Sequence, residues 1–216
     1  MATASSPRSI GPQPPHEAER AGTILNLAAI HASLVEIQAN FPSINENLRS
    51  RRDRMDDRVV ANMMAGYGFI DRLLARNVEL FSFGNLRFFL ELNAIVLCGR
   101  DEGVRVEAAR HLTATEKHFY DEEDGGIRDV MEWYSLHAGE SAWQRAAGVY
   151  VRMLSEPQLF LEGNHRTGAL VMSYILARAG HPPFVLTAQN AKAYFDPSTL
   201  ITGKKKTSIA MHFHKG

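Results

Sequence analysis

The stretch Gln158-Leu159-Phe160-Leu161-Glu162-Gly163-Asn164-His165-Arg166-Thr167-Gly168 decides the organisation of this chain. Apolar runs at 146–154 and 169–176 flank it, and their spacing predicts a helix on each side. The stretch therefore lies where the second helix begins. Unpaired backbone N–H groups and the positive end of the helix dipole attract anions at such a place. Arg166 adds a planar fork that suits phosphate oxygens, and the Glu162 carboxylate suits a Mg²⁺ ion bound to the same phosphates.

The same stretch resembles the signature of the Fic (Fido) family, H-P-F-x-[DE]-G-N-G-R-x-x-R. The segment 177–186, with the sequence A-R-A-G-H-P-P-F-V-L, also resembles what commonly follows that signature. Three signature positions differ, since Gln158 replaces the histidine, His165 the second glycine and Ala169 the last arginine. The positions that match are Phe160, Glu162, Gly163, Asn164 and Arg166.

The resemblance implies a mainly α fold, a Fic-like helical bundle of about eight helices with a small β-hairpin flap. The helical spacing of apolar residues agrees with such a bundle. The flap is expected within 104–124, where the residue pattern predicts short strands at 104–106 and 117–120. In the family, such a flap holds a target protein as an added strand, so a protein partner is expected to dock there.

The resemblance also implies an activity. Members of the family transfer AMP, or another phosphate-containing group, from a nucleotide such as ATP to a protein hydroxyl, with Mg²⁺ at the phosphates. Carried over to this chain, the metal would lie at Glu162, and the catalytic positions would be Gln158 and His165. The expected contacts to the nucleotide or its phosphates are Gly163, Asn164, His165, Arg166 and Gly168.

Gln158 changes the chemistry, because the family's histidine acts as a general base and an amide does not accept a proton. The amide of a glutamine still orients a hydroxyl or a water, as it does in some GTP hydrolases. Loss of a general base typically removes about two to four orders of magnitude in rate. We therefore expect ligand binding to outlast catalysis in this chain.

Three roles are open for His165, which stands where glycine lets the backbone approach phosphate. Its imidazole can donate a charge-assisted bond to a phosphate, or act as a displaced base or nucleophile. The third interpretation is that it caps the helix or faces solvent. Glu156 and His118 are further candidates for a relocated base.

A second feature concerns control of the site. Pro42 predicts a break in the first helix, and Ser43 with Glu46 resembles a capping box that starts the next one. Many Fic proteins carry an inhibitory helix with the pattern [S/T]-x-x-x-E-[G/N], and Glu46-Asn47 fits its second half. Pro42 stands at the Ser/Thr position, however, and the arginine that the glutamate would pair with is Ala169. Both interpretations stay open.

Composition limits the remaining possibilities. The chain has 216 residues, 45% apolar and 22% charged, with a formal net charge of zero, which fits one globular domain without a field that attracts nucleic acid. We expect a disordered tail at 1–15, the helical domain at 16–203 and a basic tail at 204–216. Mixed charges at 49–58 predict a solvated helix face. Cys98 lies alone in an apolar run and reads as a buried, inert thiol.

Targeting signals are not evident in the sequence. No stretch approaches the roughly 20 apolar residues that span a bilayer, and the N-terminus lacks the pattern of a secretory signal. We therefore expect no membrane partner and a cytoplasmic protein, or one exported without a classical signal peptide.

Three functional hypotheses follow. The first is a divergent Fic transferase that moves a nucleotide-derived group to a hydroxyl. The second is a catalytically disabled Fic pseudoenzyme that binds a nucleotide or a protein, and the missing histidine and last arginine favour it over a standard AMP transferase. The third is a toxin-like protein whose site is controlled by Glu46 or by a partner chain.

Overall fold

The computed structural model describes residues 24–121 and 126–205. These residues form nine α-helices and one short 3-10 turn, and no β-strand is present among them. The mainly α fold expected from the sequence is thereby confirmed. The helices are α1 (Leu27–Glu46), α2 (Asp57–Ala75), α3 (Arg87–Cys98), α4 (Glu102–Glu107), α5 (Ala109–Phe119), α6 (Gly126–Leu136), α7 (Ala142–Leu154), α8 (Asn164–Arg178) and α9 (Ala191–Ile201).

Helix α8 is the centre of the molecule. It packs against α7, its most extensive neighbour, and also against α2 and α3. Every residue from 167 to 176 is buried, so this helix has no solvated face, as expected for the core helix of a domain. Gly66 of α2 permits a close approach, because a Cβ on it would lie 2.5 Å from a methyl of Leu170.

Helix α1 runs through Pro42, so the predicted break there is wrong. The missing N–H of proline removes one helical bond, and the proline itself is exposed. Packing on both sides compensates, since Ile37 and Phe41 form a small core with Ala191 of α9. Residues 43–46 are therefore the last turn of α1 and not the capped start of another helix.

The charged run at 49–58 is not a helix face either. Residues 47–56 form a non-helical loop, and α2 begins only at Asp57, where the Asp56 side chain accepts a bond from the Val59 N–H. One amide closes the base of this loop: Asn45 Oδ1 accepts from the Arg52 N–H at 2.7 Å, and Asn45 Nδ2 donates to the Arg52 carbonyl at 2.9 Å. The run has no apolar stripe to bury, so nothing holds it as a helix.

The strands predicted for a flap are also wrong. Residues 104–106 lie in α4 and residues 117–119 in α5, and residues 122–125 fall outside the described part of the chain. The Asp101 side chain caps α4 by accepting from the Val104 N–H at 3.0 Å. Arg105 then ties that helix to α3 through paired bonds to Glu91. Local capping and this ion pair outweigh the β propensity of two valines.

The two predicted tails lie wholly or mostly outside the described residues. The N-terminal tail was expected at 1–15, and 206–216 is most of the predicted basic tail.

None of the described helices is long and apolar enough to cross a membrane.

Candidate functional site

A cavity of about 390 Å³ lies over the first turn of α8. Its walls come from α1, the loop 47–56, α2, the segment 158–169, the segment 184–186 and α9. The structure thus brings together six of the residues singled out in the sequence. They are Gln158, Glu162, Gly163, Asn164, His165 and Arg166.

Asn164 shapes the loop that precedes α8. Its Oδ1 accepts from the Phe160 N–H at 2.9 Å, while its Nδ2 donates to the Phe160 carbonyl at 2.7 Å and to Gln158 Oε1 at 2.9 Å. The side chain is buried, so these three bonds replace the water that its amide would otherwise hold. The Asn164 side chain therefore organises the loop from within and has no donor left for a ligand.

Gly163 lets the loop turn into the helix. Its φ of +77° lies in the left-handed region, and a Cβ there would meet Asn93 Nδ2 at 3.0 Å. As the N-cap it has no side chain to satisfy the first turn, and the first helical bond joins the Thr167 N–H to the Gly163 carbonyl at 2.9 Å. The N–H groups of residues 164–166 precede that bond and have no intrahelical partner.

Gly168 was expected to contact phosphate, but the structure gives it a packing position. It is buried, and a Cβ on it would lie 2.7 Å from the ring of Tyr150 and 3.6 Å from Leu154. It does not line the cavity. Its small size allows α7 and α8 to approach each other closely.

Arg166 provides a cation on the cavity wall. Its Nη1 donates to the Val96 carbonyl near the end of α3 at 3.1 Å, which is a favourable place for a positive charge. Among the described residues it has no carboxylate within ion-pair distance. Burial lowers the pKa of this guanidinium, although an arginine stays charged at any ordinary pH. One of its five N–H groups is therefore used. The charges of Glu162, Asp53 and Asp56 act to raise its pKa, but none of these carboxylates forms an ion pair with it.

His165 is held on three sides. Its Nδ1 lies 3.0 Å from the Tyr150 hydroxyl and its Nε2 lies 3.5 Å from Arg52 Nη1. Its carbonyl accepts from the Tyr194 hydroxyl at 2.8 Å. Burial and the charge of Arg52 lower the pKa of the imidazole to about 4, so it is neutral at physiological pH. A neutral, doubly contacted ring is a weak candidate for a proton acceptor.

Arg52 is the principal residue that the sequence pattern missed. Its Nη2 donates to three acceptors on α9, and its guanidinium lies over the ring of Phe195, 5.4 Å from the centroid. Its Nε is buried and has no partner within the described part of the chain. The mixed charges around Arg52 concealed it, because nothing in a run of arginines distinguishes the one that turns inward. The acceptors on α9 are Phe195 O at 3.1 Å, Ser198 Oγ at 3.1 Å and Thr199 Oγ1 at 2.7 Å.

The other candidates for a base, His118 and Glu156, do not line the cavity. His118 Nε2 lies 2.7 Å from the Gln158 carbonyl, which requires this nitrogen to carry the proton and donate it. The backbone N–H of Glu156 bonds to the Lys204 carbonyl at 3.0 Å, and this exposed residue does not line the cavity. Neither residue presents a free proton acceptor to the cavity.

Glu162 stands at the mouth of the cavity with its side chain 65% exposed. His111 Nε2 lies 3.8 Å from its carboxylate. No group of three or more metal-binding side chains occurs among residues 24–121 and 126–205. A single carboxylate fits Mg²⁺ only when phosphate oxygens and water supply the other ligands, which is how this ion is commonly held.

Glu46 and Asn47 do not reach the cavity. Glu46 is exposed at the end of α1, and Asn47 accepts from Lys192 Nζ through its carbonyl at 2.7 Å. An inhibitory contact between Glu46 and the first turn of α8 is not present in this arrangement.

The site therefore combines a helix N-terminus without a side-chain cap, an arginine that forms no ion pair among the described residues, and a neutral histidine around one cavity. No family model, curated protein or solved structure matches this chain.

Proposed function

We propose that this protein binds a phosphate-containing ligand in the cavity, with the phosphate held by Arg166 and the first turn of α8. One observation carries the proposal: the Arg166 guanidinium is partly desolvated, lacks a carboxylate partner among the described residues, and lies beside N–H groups that have no helical acceptor. A charge removed from water without a partner is costly, and an anion in the cavity would offset that cost.

The resemblance of 158–168 to the Fic signature supports a nucleotide-type ligand such as ATP. Glu162 and the ligand's own phosphates would together hold a Mg²⁺ ion, which supplies charge neutralisation at the phosphates when bound. Residues 163–166 would orient the phosphate group against α8. Docking of a target protein within 104–124 stays a prediction, and the described part of that segment offers helices instead of a strand edge.

Binding is favoured over transfer because neither of the two positions expected to be catalytic, Gln158 and His165, offers a suitable base. Gln158 does not accept a proton, and its Oε1 already accepts from Asn164. The pKa of His165 is about 4, so its affinity for a proton at neutral pH is low. The best-supported function is therefore that of a catalytically disabled, Fic-like ligand-binding module.

Transfer of a nucleotide-derived group to a hydroxyl is the second candidate. The retained Glu162-Gly163-Asn164 and Arg166, together with an imidazole on the cavity wall, favour it. Ligand charge near His165 would raise its pKa toward the useful range. Incubation with labelled ATP and Mg²⁺, followed by mass spectrometry, tests this: transfer lost in His165→Ala and kept in Gln158→Ala supports it, and no labelling by the wild type contradicts it.

The binding proposal is tested by thermal shift with Mg²⁺-ATP, Mg²⁺-ADP and pyrophosphate. A ligand at 100 times its Kd stabilises the folded state by about 2.7 kcal/mol, which raises the Tm by several degrees. We expect this rise in wild type and in Arg178→Ala, a control on the same helix whose guanidinium pairs with Glu79 outside the cavity. We expect none in Arg166→Ala. Equal shifts in both variants, or no shift in the wild type, would contradict the proposal.

A further inference from the structure

Part of the cavity wall is apolar, and the rest carries polar and charged groups that include Arg52, Asp53 and Arg54. We call the apolar part the apolar lobe and define it by six large side chains from α1, α2, the segment 184–186 and α9. Four of them are buried and two are half-buried, so together they form a concave, water-poor surface. The six residues are Leu34, Phe41, Met63, Tyr67, Leu186 and Phe195.

The tyrosine hydroxyls near this lobe already donate hydrogen bonds to backbone carbonyls. The Tyr67 hydroxyl donates to the Phe184 carbonyl at 2.8 Å, and the Tyr194 hydroxyl donates to the His165 carbonyl at 2.8 Å. The Phe184 carbonyl also accepts from Ser173 Oγ at 2.6 Å, so both of its lone pairs are engaged. The six side chains of the lobe therefore offer no spare donor to a polar ligand. Beside the lobe, Arg52 Nε, whose guanidinium lies over the Phe195 ring, is one donor without a partner in the described part of the chain.

The lobe and the anion-binding end belong to one cavity. Arg166 and Gly163 line the same cavity as Phe195 and Tyr67. A ligand that fills about 390 Å³ from the Arg166 end must extend its other end into the lobe. One ligand would therefore contact both Arg166 and the apolar lobe.

We propose that the ligand of this site is a phosphate ester whose organic part is a hydrocarbon or aryl group. This inference rests on the proposed phosphate-binding function and names the chemical class of its ligand. A nucleoside brings sugar hydroxyls and a base edge, and each of these groups loses free energy when it is buried without a partner. An alkyl or aryl group carries no such cost and gains from leaving water.

Isothermal titration calorimetry of the full chain tests the inference with four probes: inorganic phosphate, ribose 5-phosphate, butyl phosphate and hexyl phosphate. Burial of each added methylene in the lobe should raise affinity about fourfold, so hexyl phosphate should bind roughly tenfold or more tightly than butyl phosphate. Ribose 5-phosphate, which is of similar length but polar, should bind no more tightly than inorganic phosphate.

Two variants test whether the gain in affinity for hexyl phosphate arises from contacts with the apolar part of the cavity wall. Leu186→Asn and Met55→Gln each place a polar group on a half-buried position of the cavity wall. Leu186 belongs to the apolar lobe, and Met55, in the loop 47–56, packs against the same cluster as Leu186, the cluster that contains Phe41. Each should weaken hexyl phosphate several-fold and leave the affinity for inorganic phosphate unchanged. Because Met55 lies on a loop, its variant keeps the test usable where Leu186→Asn does not fold.

The outcomes separate this inference from the function on which it rests. Binding of inorganic phosphate that depends on Arg166, with no gain from butyl to hexyl phosphate, would overturn the apolar ligand class and leave phosphate binding intact. Tighter binding of ribose 5-phosphate than of hexyl phosphate would do the same. Absence of Arg166-dependent binding by all four probes would overturn both.

Discussion

Arg52 and His165 meet across the cavity, with Arg52 Nη1 3.5 Å from His165 Nε2. An arginine only donates hydrogen bonds, so the histidine must present a lone pair at Nε2 and carry its proton at Nδ1. The Nδ1–H then donates to the Tyr150 hydroxyl at 3.0 Å. One contact therefore selects the tautomer of the imidazole and opposes its protonation.

Removal of the Arg52 charge should raise the pKa of His165. Burial is the larger cause of the low pKa, and Arg52 adds to it, so Arg52→Met is expected to move the pKa upward from about 4 but to leave it below 6.5. Two-dimensional NMR of the ring protons across pH measures this, with His165→Gln identifying the signal. Arg54→Met is the matched control, because Arg54 lines the same cavity and does not contribute to the shift. An unchanged pKa in Arg52→Met would contradict the assignment.

His165 should make the protein less stable in mild acid. Its folded pKa of about 4 lies below the ordinary value of 6.5, so below pH 6.5 the unfolded chain binds a proton that the folded chain does not. The free energy of unfolding therefore falls as pH drops from 6.5 to 4, by up to about 3 kcal/mol from this residue. Urea unfolding at pH 7 and pH 4.5 should show a smaller loss in His165→Gln than in wild type. Equal losses in the two proteins would show that another group dominates.

Gly163→Ala should destabilise the entry to α8. The substitution places a Cβ on a residue with φ of +77° and within 3.0 Å of Asn93 Nδ2. The expected cost is about 1–3 kcal/mol in the free energy of unfolding. Gly139→Ala is the control, since a Cβ there meets nothing within 4 Å and its φ is not positive. Equal stability of the two variants, measured by urea unfolding, would count against the left-handed turn.

Asn164→Asp should lower the free energy of unfolding more than Gln158→Ala, which removes one hydrogen-bond partner of Asn164. The carboxylate keeps the bond from the Phe160 N–H but faces the Phe160 carbonyl and Gln158 Oε1 with no donor. A buried carboxylate that faces two acceptors costs about 3–5 kcal/mol, whereas the loss of the single part-buried hydrogen bond in Gln158→Ala costs about 1 kcal/mol. Thermal unfolding of both variants compares them. A milder effect of Asn164→Asp than of Gln158→Ala would be incompatible with the loop geometry.

The sequence predicted what local patterns determine. The apolar runs on either side of 158–168 correctly predicted the two helices that flank this stretch. The residues from Glu162 to Arg166 also line one cavity. Gly168 is packed against Tyr150 and does not line the cavity, and the sequence alone does not distinguish a glycine that allows helix packing from one that contacts phosphate. Sequence patterns carry no information of that kind about a neighbouring helix.

Long-range partners explain the other errors. Pro42 does not end α1 because Phe41 packs on α9, which lies about 150 residues later in the chain. Arg52 lies on the cavity because three acceptors on α9 receive its guanidinium. Residues 104–106 form a helix because Arg105 finds Glu91 on α3. In each case the deciding contact joins residues that no local window contains together.

The Asn45 amide has a practical consequence for protein engineering. Because it clamps both backbone groups of Arg52, the turn between them is pinned at its base, while Ser50 and Arg51 are exposed at its tip. A fluorophore attached at this tip, or a peptide tag inserted between these two residues, would leave the Asn45–Arg52 hydrogen bonds of the cavity wall intact. The turn is therefore a suitable labelling site for detecting when a ligand binds in the cavity.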